Sequence, residues 1–222
     1  MDQRTEEWFE ARLGKVTASR IADVCARTKS GYGASRGYYM DDLRIERITG
    51  RPASTFSNAA MRWGIDQEPQ ARLIYELVSD VEVEEVGLVD HPEIAMTAAS
   101  PDGLIGDDGM IEIKCPNSAT HAQFIEDQKI PNKYMKQMHW QMECAGRNWC
   151  DYVSYDPRFS PEFDAENPYA PLFSEGTLAI VRVERDDELL EEIREEVKKF
   201  LAELDAKVEA YREGLNKLKQ AA

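Results

Sequence analysis

Residues 100–114 read SPDGLIGDDGMIEIK, and this stretch has the pattern of a β-hairpin. Asp108-Gly109 is a strong signal for a two-residue turn between two strands. After this pair the chain alternates with the period of two that is typical of a strand, so Glu112 and Lys114 share one face. The other arm of the hairpin begins beside Asp102. The stretch therefore predicts two carboxylates and one amine close together on a sheet.

The three side chains of Asp102, Glu112 and Lys114 suit one kind of chemistry. Carboxylates on neighbouring strands are good ligands for Mg²⁺, which takes one or two of them and otherwise keeps water or phosphate oxygens. An amine beside the ion can orient or deprotonate a water, or neutralise charge on a phosphate. The set predicts metal-dependent cleavage of phosphodiesters, with the two carboxylates as ligands of Mg²⁺ or Mn²⁺. Asp102 could bridge two ions.

A surface hairpin with a salt bridge between its strands is the alternative interpretation. Two observations weigh against it. Ile111, Ile113 and Cys115 are apolar, so the strand is at least half buried. Between Asp80 and Ile113 there is no Lys or Arg, so Lys114 or a metal ion is the available partner for the carboxylates.

Composition excludes several classes of site. The chain has 222 residues, enough for one domain with a substantial core, and we expect a single nuclease domain over residues 1–222. Its four Cys show no zinc spacing and its three His are scattered. No Ser/His/Asp arrangement, phosphate-binding loop or dinucleotide fingerprint is present. Without a signal peptide or an apolar membrane span in the sequence, we expect reduced thiols and a cytoplasmic protein.

The distribution of charge qualifies the net charge of −15, which by itself argues against a nucleic-acid partner. Residues 11–40 carry six basic side chains and one acidic one, whereas residues 80–113 and the C-terminal segment hold much of the acid. This pattern fits a protein that contacts DNA only in an enclosed site. Ordinary heterogeneity of surface charge is the alternative, and charge alone does not decide between them.

Apolar spacing and turn residues predict the remaining elements. Helices are expected over residues 5–13, 17–25, 40–48, 57–77 and 131–144, with a long amphipathic helix from about 186. In the fourth of these, Ser57 is the expected cap, and Pro69 must break the helix, kink it or lie in a first turn. Strands are expected over residues 81–89, 94–99, 149–155 and 177–183. Residues 27–37 predict a mobile loop and residues 156–176 a long loop.

Six ordered segments carry a family resemblance. The spacing Asp102-x₉-Glu112-x-Lys114 is similar to the core of the PD-(D/E)xK nuclease superfamily. Together the segments resemble the lambda exonuclease family of phage recombination nucleases, also called YqaJ-like viral recombinases. They are residues 8–19 (WFEARLGKVTAS), 60–68 (AMRWGIDQE), 100–103 (SPDG), 112–116 (EIKCP), 134–137 (YMKQ) and 155–158 (YDPR). The resemblance implies an α/β, restriction-endonuclease-like core with a mixed central sheet flanked by helices.

The resemblance adds residues to the catalytic set. It implies that the Ile113 backbone carbonyl is a further metal ligand, and that Glu68 completes the site, directly or through water. Gln137 corresponds to a glutamine near the attacking water. The alternatives are a solvent-exposed or helix-terminal role for Glu68, and a polar position on an amphipathic helix for Gln137. For Lys114 the alternative is a salt bridge to Glu112 without catalysis.

The resemblance also implies how DNA is held. Arg12, Ser19 and Ser100 correspond to a pocket for the 5′-phosphate, for which a guanidinium and hydroxyls are apt donors. For Arg12 the alternative is a salt bridge to Glu6, Glu7 or Glu10. Met61 corresponds to an apolar wedge that splits the terminal base pair, although a lone Met on a helix is also typical of a core.

Two basic residues complete the implied DNA contacts. Lys29 aligns with a basic residue of the DNA tunnel. A further tunnel lysine of the family has no match in Asn58-Ala59-Ala60, and Arg62 is the candidate substitute.

The expected function is a Mg²⁺-dependent exonuclease that digests the 5′-ended strand of duplex DNA processively and leaves a 3′ overhang. The resemblance implies two metal ions, a homotrimeric ring around the duplex and a single-strand annealing protein as partner. It places the protein in a phage or prophage recombination system in the bacterial cytoplasm, with no membrane involved. An endonuclease or repair nuclease without end dependence, and a non-catalytic DNA-end binding module, are the alternatives.

Overall fold

The structure is a computed structural model that describes residues 2–53 and 58–221. Its helices range from 4 to 35 residues in length. The described part contains α1 (Glu6–Arg12), α2 (Ile21–Val24), α3 (Ala34–Thr49), α4 (Ala59–Ser79), α5 (Ser118–Asp127), α6 (Asn132–Ala145) and α7 (Asp187–Ala221). Short 3₁₀ turns occur at Ala18–Arg20 and Pro157–Phe159. No helix in these described ranges is long and apolar enough to cross a membrane.

The strands of the described ranges form three sheets. They are β1 (Val16–Thr17), β2 (Arg27–Thr28), β3 (Gly31–Tyr32), β4 (Val89–Asp90), β5 (Thr97–Ala99), β6 (Gly103–Ile105), β7 (Gly109–Lys114), β8 (Trp149–Tyr155) and β9 (Leu178–Glu184). The largest sheet has the order β6-β7-β8-β9, with β7 and β8 parallel and the other two pairs antiparallel. A second sheet has the order β1-β5-β4, and β2 pairs with β3 alone. The predicted fold class, a mixed sheet flanked by helices, is confirmed.

The predicted hairpin is present, but its turn differs from the prediction. Ile105 pairs with Gly109, so Gly106 to Asp108 form a three-residue loop and Gly109 is the first residue of β7. The positive φ of the loop, 50°, falls at Gly106. Gly109 is needed for packing rather than for turning, because a Cβ there would lie 2.1 Å from the Trp149 ring. The expected two-residue turn at Asp108-Gly109 was therefore wrong, because the loop has three residues and ends at Asp108.

α6 lies between two apolar clusters and carries side chains into both. Met138 and Met142 pack with Met110 of β7, while Trp140 packs in the cluster formed with α2, α3 and α7. Trp140 is fully buried, donates to Thr97 Oγ1 and lies against the ring of His91. Burial of each such side chain contributes about 1.5–3 kcal/mol. The helix is therefore fixed firmly against the sheet.

Residues 27–37 are ordered, which corrects the expected mobile loop. β2 and β3 form a hairpin, and α3 begins at Ala34 rather than at 40. The Tyr32 ring lies beneath the guanidinium groups of Arg27 and Arg36, at 4.8 and 3.8 Å. Arg27 and the Tyr32 hydroxyl bond Glu196 of α7. Cation–π stacking and the bonds to α7 hold this segment in place, whereas its glycines suggested a mobile loop.

Several other expectations are modified. Residues 81–89 form only an isolated bridge at Glu84 and the start of β4, and residues 17–25 divide into a 3₁₀ turn and α2. α5 was not predicted. Ser57 lies outside the described residues; Asn58 caps α4 by accepting from the Met61 backbone N–H, and Pro69 lies inside that helix. The long C-terminal helix is present as α7.

Candidate active site

β7 and the turn before β6 place the predicted catalytic side chains together. Asp102 Oδ2 accepts a hydrogen bond from the Ile113 backbone N–H over 2.7 Å. Glu112 and Lys114 lie on one face of β7, and Lys114 Nζ donates to Glu112 Oε1. Glu112 is completely buried. The period of two along β7 and the hairpin therefore bring Asp102, Glu112 and Lys114 into one site.

The site holds more carboxylates than amines, and this affects the pKa values of Asp102 and Lys114. Burial, reinforced by the negative charges of Glu112 and Glu68, raises the pKa of Asp102 well above its ordinary value. Burial lowers the pKa of Lys114, but the Glu112 and Asp102 carboxylates outweigh it, so the net pKa of Lys114 is raised. Lys114 is therefore a cation in this arrangement, suited to neutralising charge on a phosphate rather than to accepting a proton.

α6 supplies two amide side chains to the buried carboxylate of Glu112. Gln137 Nε2 donates to Oε1 over 2.6 Å, and Gln141 Nε2 donates to Oε2 over 2.7 Å. Residues four apart on a helix share a face, so the pair is held together by α6. Gln137 was predicted, whereas Gln141 was missed. The repeat of Gln at a spacing of four in Gln137-Met-His-Trp-Gln141 is the sequence signal that could have found it.

Glu68 lies near Asp102 but is held by arginines. Its Oε2 contacts Arg4, and its Oε1 accepts from Arg72 Nη2 over 3.1 Å. Arg72 Nε also donates to the Asp102 backbone carbonyl over 3.2 Å. The solvent-exposed alternative for Glu68 is not what the structure shows, because only 13% of its side chain is exposed. Sequence reasoning missed Arg4 and Arg72, which have no motif of their own.

The donor chemistry of this site fits a hard divalent cation. Asp102, Glu112 and Glu68 provide carboxylate oxygens, and the Ile113 carbonyl is adjacent. Burial and the neighbouring Glu112 carboxylate raise the pKa of Asp102, although Lys114 opposes the shift, and a cation bound there would favour the charged form. Across residues 2–53 and 58–221, no group of three or more His, Cys, Asp or Glu side chains is already arranged to hold an ion. In the structure the Glu68 carboxylate is bonded to Arg4 and Arg72.

Two of the three predicted phosphate-binding residues, Arg12 and Ser100, meet at Trp8. The Arg12 guanidinium lies 4.1 Å from the centre of the Trp8 ring, and Trp8 Nε1 donates to Ser100 Oγ over 3.1 Å. Ser19 is exposed, and its Oγ lies 3.4 Å from Thr17 Oγ1. No described contact joins Ser19 to the other two predicted residues. The structure therefore connects Arg12 and Ser100 through Trp8, which sequence reasoning missed.

Arg12 is a half-buried cation that forms no salt bridge in the described ranges. The alternative salt bridges to Glu6, Glu7 and Glu10 are not formed there, whereas Lys15 and Arg20, which line the same cavity of about 190 Å³, pair with Asp90 and Asp23. Burial lowers the pKa of Arg12 because its charge is desolvated. A desolvated guanidinium on an aromatic face is a ready site for an anion.

The predicted DNA-contacting residues lie on the surface. Met61 is 49% exposed at the start of α4, so the core alternative for this residue was wrong. Arg62 is exposed beside it. Lys29 is exposed at the turn between β2 and β3. We call the site formed by Asp102, Glu112 and Glu68 the acid cluster. Neither Met61, Arg62 nor Lys29 belongs to it, and their contact with DNA stays a prediction.

Comparison with known proteins places this geometry in a family. The sequence model of the YqaJ-like viral recombinase domain matches residues 7–148. The structure of an alkaline exonuclease, LHK-Exo, from Laribacter hongkongensis has 49% identity and a TM-score of 0.84, covering 96% of this chain and 100% of that one. The structure of LHK-Exo in complex with dAMP has 50% identity and a TM-score of 0.85 over the same shares.

Two further similarities are more distant. A phage-related exonuclease from Haemophilus somnus 129PT has 16% identity and a TM-score of 0.67, covering 89% of this chain and 96% of that one, and so supports the fold alone. Uncharacterized protein R354 of Acanthamoeba polyphaga mimivirus is 24% identical over 165 residues, which are 68% of this chain. The match spans only 29% of that curated relative's length.

Proposed function

This chain belongs to the YqaJ-like viral recombinase family, and on that premise we propose that it is a Mg²⁺-dependent exonuclease that digests the 5′-ended strand of linear duplex DNA. Membership and the similarity to an alkaline exonuclease support a nuclease. The observation that carries the proposal is the Asp102–Ile113 hydrogen bond, because it brings a second carboxylate to the face of Glu112 and Lys114.

Each residue of the cluster has a proposed role. Asp102, Glu112 and the Ile113 carbonyl hold Mg²⁺ or Mn²⁺, and Glu68 joins them directly or through water. A bound divalent cation, in one or two copies, supplies Lewis-acid chemistry that lowers the pKa of water and neutralises phosphate charge. Lys114 contributes a fixed cation beside the scissile phosphate, and Gln137 orients the attacking water without competing for the metal.

Binding of the 5′ end by residues that include Arg12 determines which strand is digested. Arg12, which forms no salt bridge among the described residues, provides a desolvated cation for a terminal phosphate, with Ser100 and Ser19 as hydroxyl donors. Capture of a 5′-phosphate beside the acid cluster selects the first phosphodiester of that strand and leaves a 3′ overhang. Met61 acts as the wedge at the terminal base pair, and Lys29 and Arg62 contact the backbone.

The proposed assembly is a homotrimeric ring in the cytoplasm of a bacterial host, which passes the overhang to a single-strand annealing protein. A ring accounts for the charge pattern, because a chain of net charge −15 can hold DNA when its basic residues line an enclosed channel. Closure around the duplex also accounts for processive digestion. Sedimentation should then give about three times the chain mass of 25.3 kDa.

One assay tests the activity. Linear duplex with a 5′-phosphate, the same duplex with a 5′-hydroxyl and a closed circle are incubated with Mg²⁺ or with EDTA. We expect mononucleotide release from the linear substrates in Mg²⁺, faster with the phosphate, and none from the circle. Cleavage of the circle would overturn the exonuclease in favour of an endonuclease. Binding without any release of nucleotides would indicate a non-catalytic end-binding module.

A further inference from the structure

Gln141 donates to one oxygen of Glu112 that accepts no other hydrogen bond from the described residues. Its side chain is buried, and Nε2 donates to Glu112 Oε2 over 2.7 Å. The other oxygen, Oε1, accepts from Lys114 and Gln137 instead. The same Nε2 lies 3.4 Å from the backbone carbonyl oxygen of Ser100. One amide group therefore spans from β7 to the turn that carries Asp102.

The orientation of this amide is set by its neighbours. Rotating the Gln141 amide group by half a turn would place its Oε1 against a carboxylate oxygen of Glu112, so Nε2 must face Glu112. Gln141 Oε1 then has no hydrogen-bond partner within the described residues. A buried amide oxygen without a partner lowers stability. Stability of the core is therefore a poor reason for a glutamine at this position, whereas donation to Glu112 is a sufficient one.

The helix that carries Gln141 is rigid. Its neighbours on α6 are buried, with Met142 in the cluster against β7 and Trp140 in the cluster against α7. Gly146 closes the helix in the left-handed conformation, with φ of 64°. A group on a fixed helix holds its partner with little freedom. Through its two hydrogen bonds the Gln141 amide therefore restrains Glu112 and the Ser100 carbonyl.

The geometry points to Gln141 as a positioning residue that ties Glu112 to the turn of Ser100 and Asp102. Through this link it sets the distance between the proposed metal ligands and the proposed 5′-phosphate pocket. The inference rests on the proposed function, because the two sites it connects are assigned there. Gln141 itself does not touch the substrate.

The test replaces Gln141 by methionine, which has a similar length and no donor. Binding of Mn²⁺ to the DNA-free protein is measured by electron paramagnetic resonance. We expect the dissociation constant to rise about 10- to 100-fold, the usual effect of removing a partner of a metal ligand. At a subsaturating Mg²⁺ concentration, kcat on 5′-phosphorylated duplex should fall by a similar factor, with a smaller change in KM for DNA.

Gln67→Met is the matched control. Gln67 is also fully buried, donates to a backbone carbonyl, that of Pro168, over 2.7 Å, and leaves its Oε1 without a partner in the described ranges. This control should leave Mn²⁺ affinity within about two-fold of the parent. Parental Mn²⁺ affinity in Gln141→Met, or an equal loss in Gln67→Met, would overturn the inference.

A second variant covers the case in which Gln141→Met does not fold. Gln141→Asn keeps the amide but is one methylene too short to span the two partners, so the same loss of Mn²⁺ affinity is expected. A folded Gln141→Asn with parental affinity would overturn the inference. A parent protein that neither binds Mn²⁺ nor digests DNA would instead overturn the proposed function, so the two failures are distinguishable.

Discussion

Replacing Arg12 with methionine tests the phosphate pocket. Methionine keeps an unbranched side chain that can lie on the Trp8 ring, but it removes the cation that stands 4.1 Å above that ring. Arg12 forms no salt bridge among the described residues, and Glu46, whose charge acts on Arg12, keeps its hydrogen bond from the Gly14 backbone N–H when Arg12 is replaced. The variant should therefore fold normally and lose only the contact with a terminal phosphate.

The size of the effect follows from that single contact. A hydrogen bond to a charged group contributes about 1.5–3 kcal/mol, which corresponds to roughly a 10- to 150-fold change in rate. The quantity to measure is kcat/KM on 5′-phosphorylated duplex divided by kcat/KM on the 5′-hydroxyl form. In Arg12→Met this ratio should fall by that factor, with the hydroxyl substrate almost unaffected. Arg12→Lys should give an intermediate ratio, because lysine keeps the charge but not the planar pair of donors.

Arg212→Met is the control for a general loss of positive charge. Arg212 is exposed on α7 and pairs with Glu209, far along the chain from the acid cluster. It should leave the ratio of the two rates unchanged. If Arg12→Met slowed both substrates equally, or if the parent showed no preference for the phosphate, the pocket would be refuted.

Three further predictions concern catalysis, pH and packing. Asp102→Asn or Lys114→Met should lower kcat by at least ~10²–10³ without unfolding the protein by circular dichroism, and near-parental turnover would remove the catalytic assignment. Burial lowers the pKa of His91, so the imidazole binds a proton more tightly in the unfolded chain than in the folded protein. The free energy of unfolding should therefore fall as the pH drops through about 6.5. Calorimetry should show a smaller fall in His91→Asn. Gly109→Ala should destabilise the protein by about 1–3 kcal/mol in urea titration, because a Cβ meets an indole ring 2.1 Å away, whereas Gly37→Ala, with open space on α3, should not.

The local pattern of the sequence was enough to predict the centre of the site. Strand periodicity placed Glu112 and Lys114 on one face, and hairpin geometry brought Asp102 to them. These relations depend on residues close together in the chain. The contact between Arg4 and Glu68 joins residues 64 positions apart, and nothing in their local sequence indicates it. Partners supplied by distant elements are therefore the part that sequence reasoning missed.

Glycine gave the wrong signal twice, for physical reasons that only packing reveals. Gly109 was interpreted as a turn residue, but its missing Cβ makes room for the Trp149 ring. Gly31 and Gly33 suggested a mobile loop, but Gly31 belongs to a hairpin that is held to α7 through Tyr32 and Glu196, and Gly33 is the N-cap residue of α3. A glycine permits turns and close approach equally, so its role depends on neighbours that the local sequence does not show.

The parallel pairing of β7 and β8 has a consequence for the synthesis of the chain. Glu112 leaves the ribosome before its helix partners Gln137 and Gln141, and before the neighbouring strand that ends at Tyr155. Parallel strands cannot pair until their crossover, here α5 and α6, has been made. The surroundings of Glu112 are therefore complete only after translation has passed β8. A product truncated before that strand contains the Asp102, Glu112 and Lys114 motif but lacks the surroundings that make it a site.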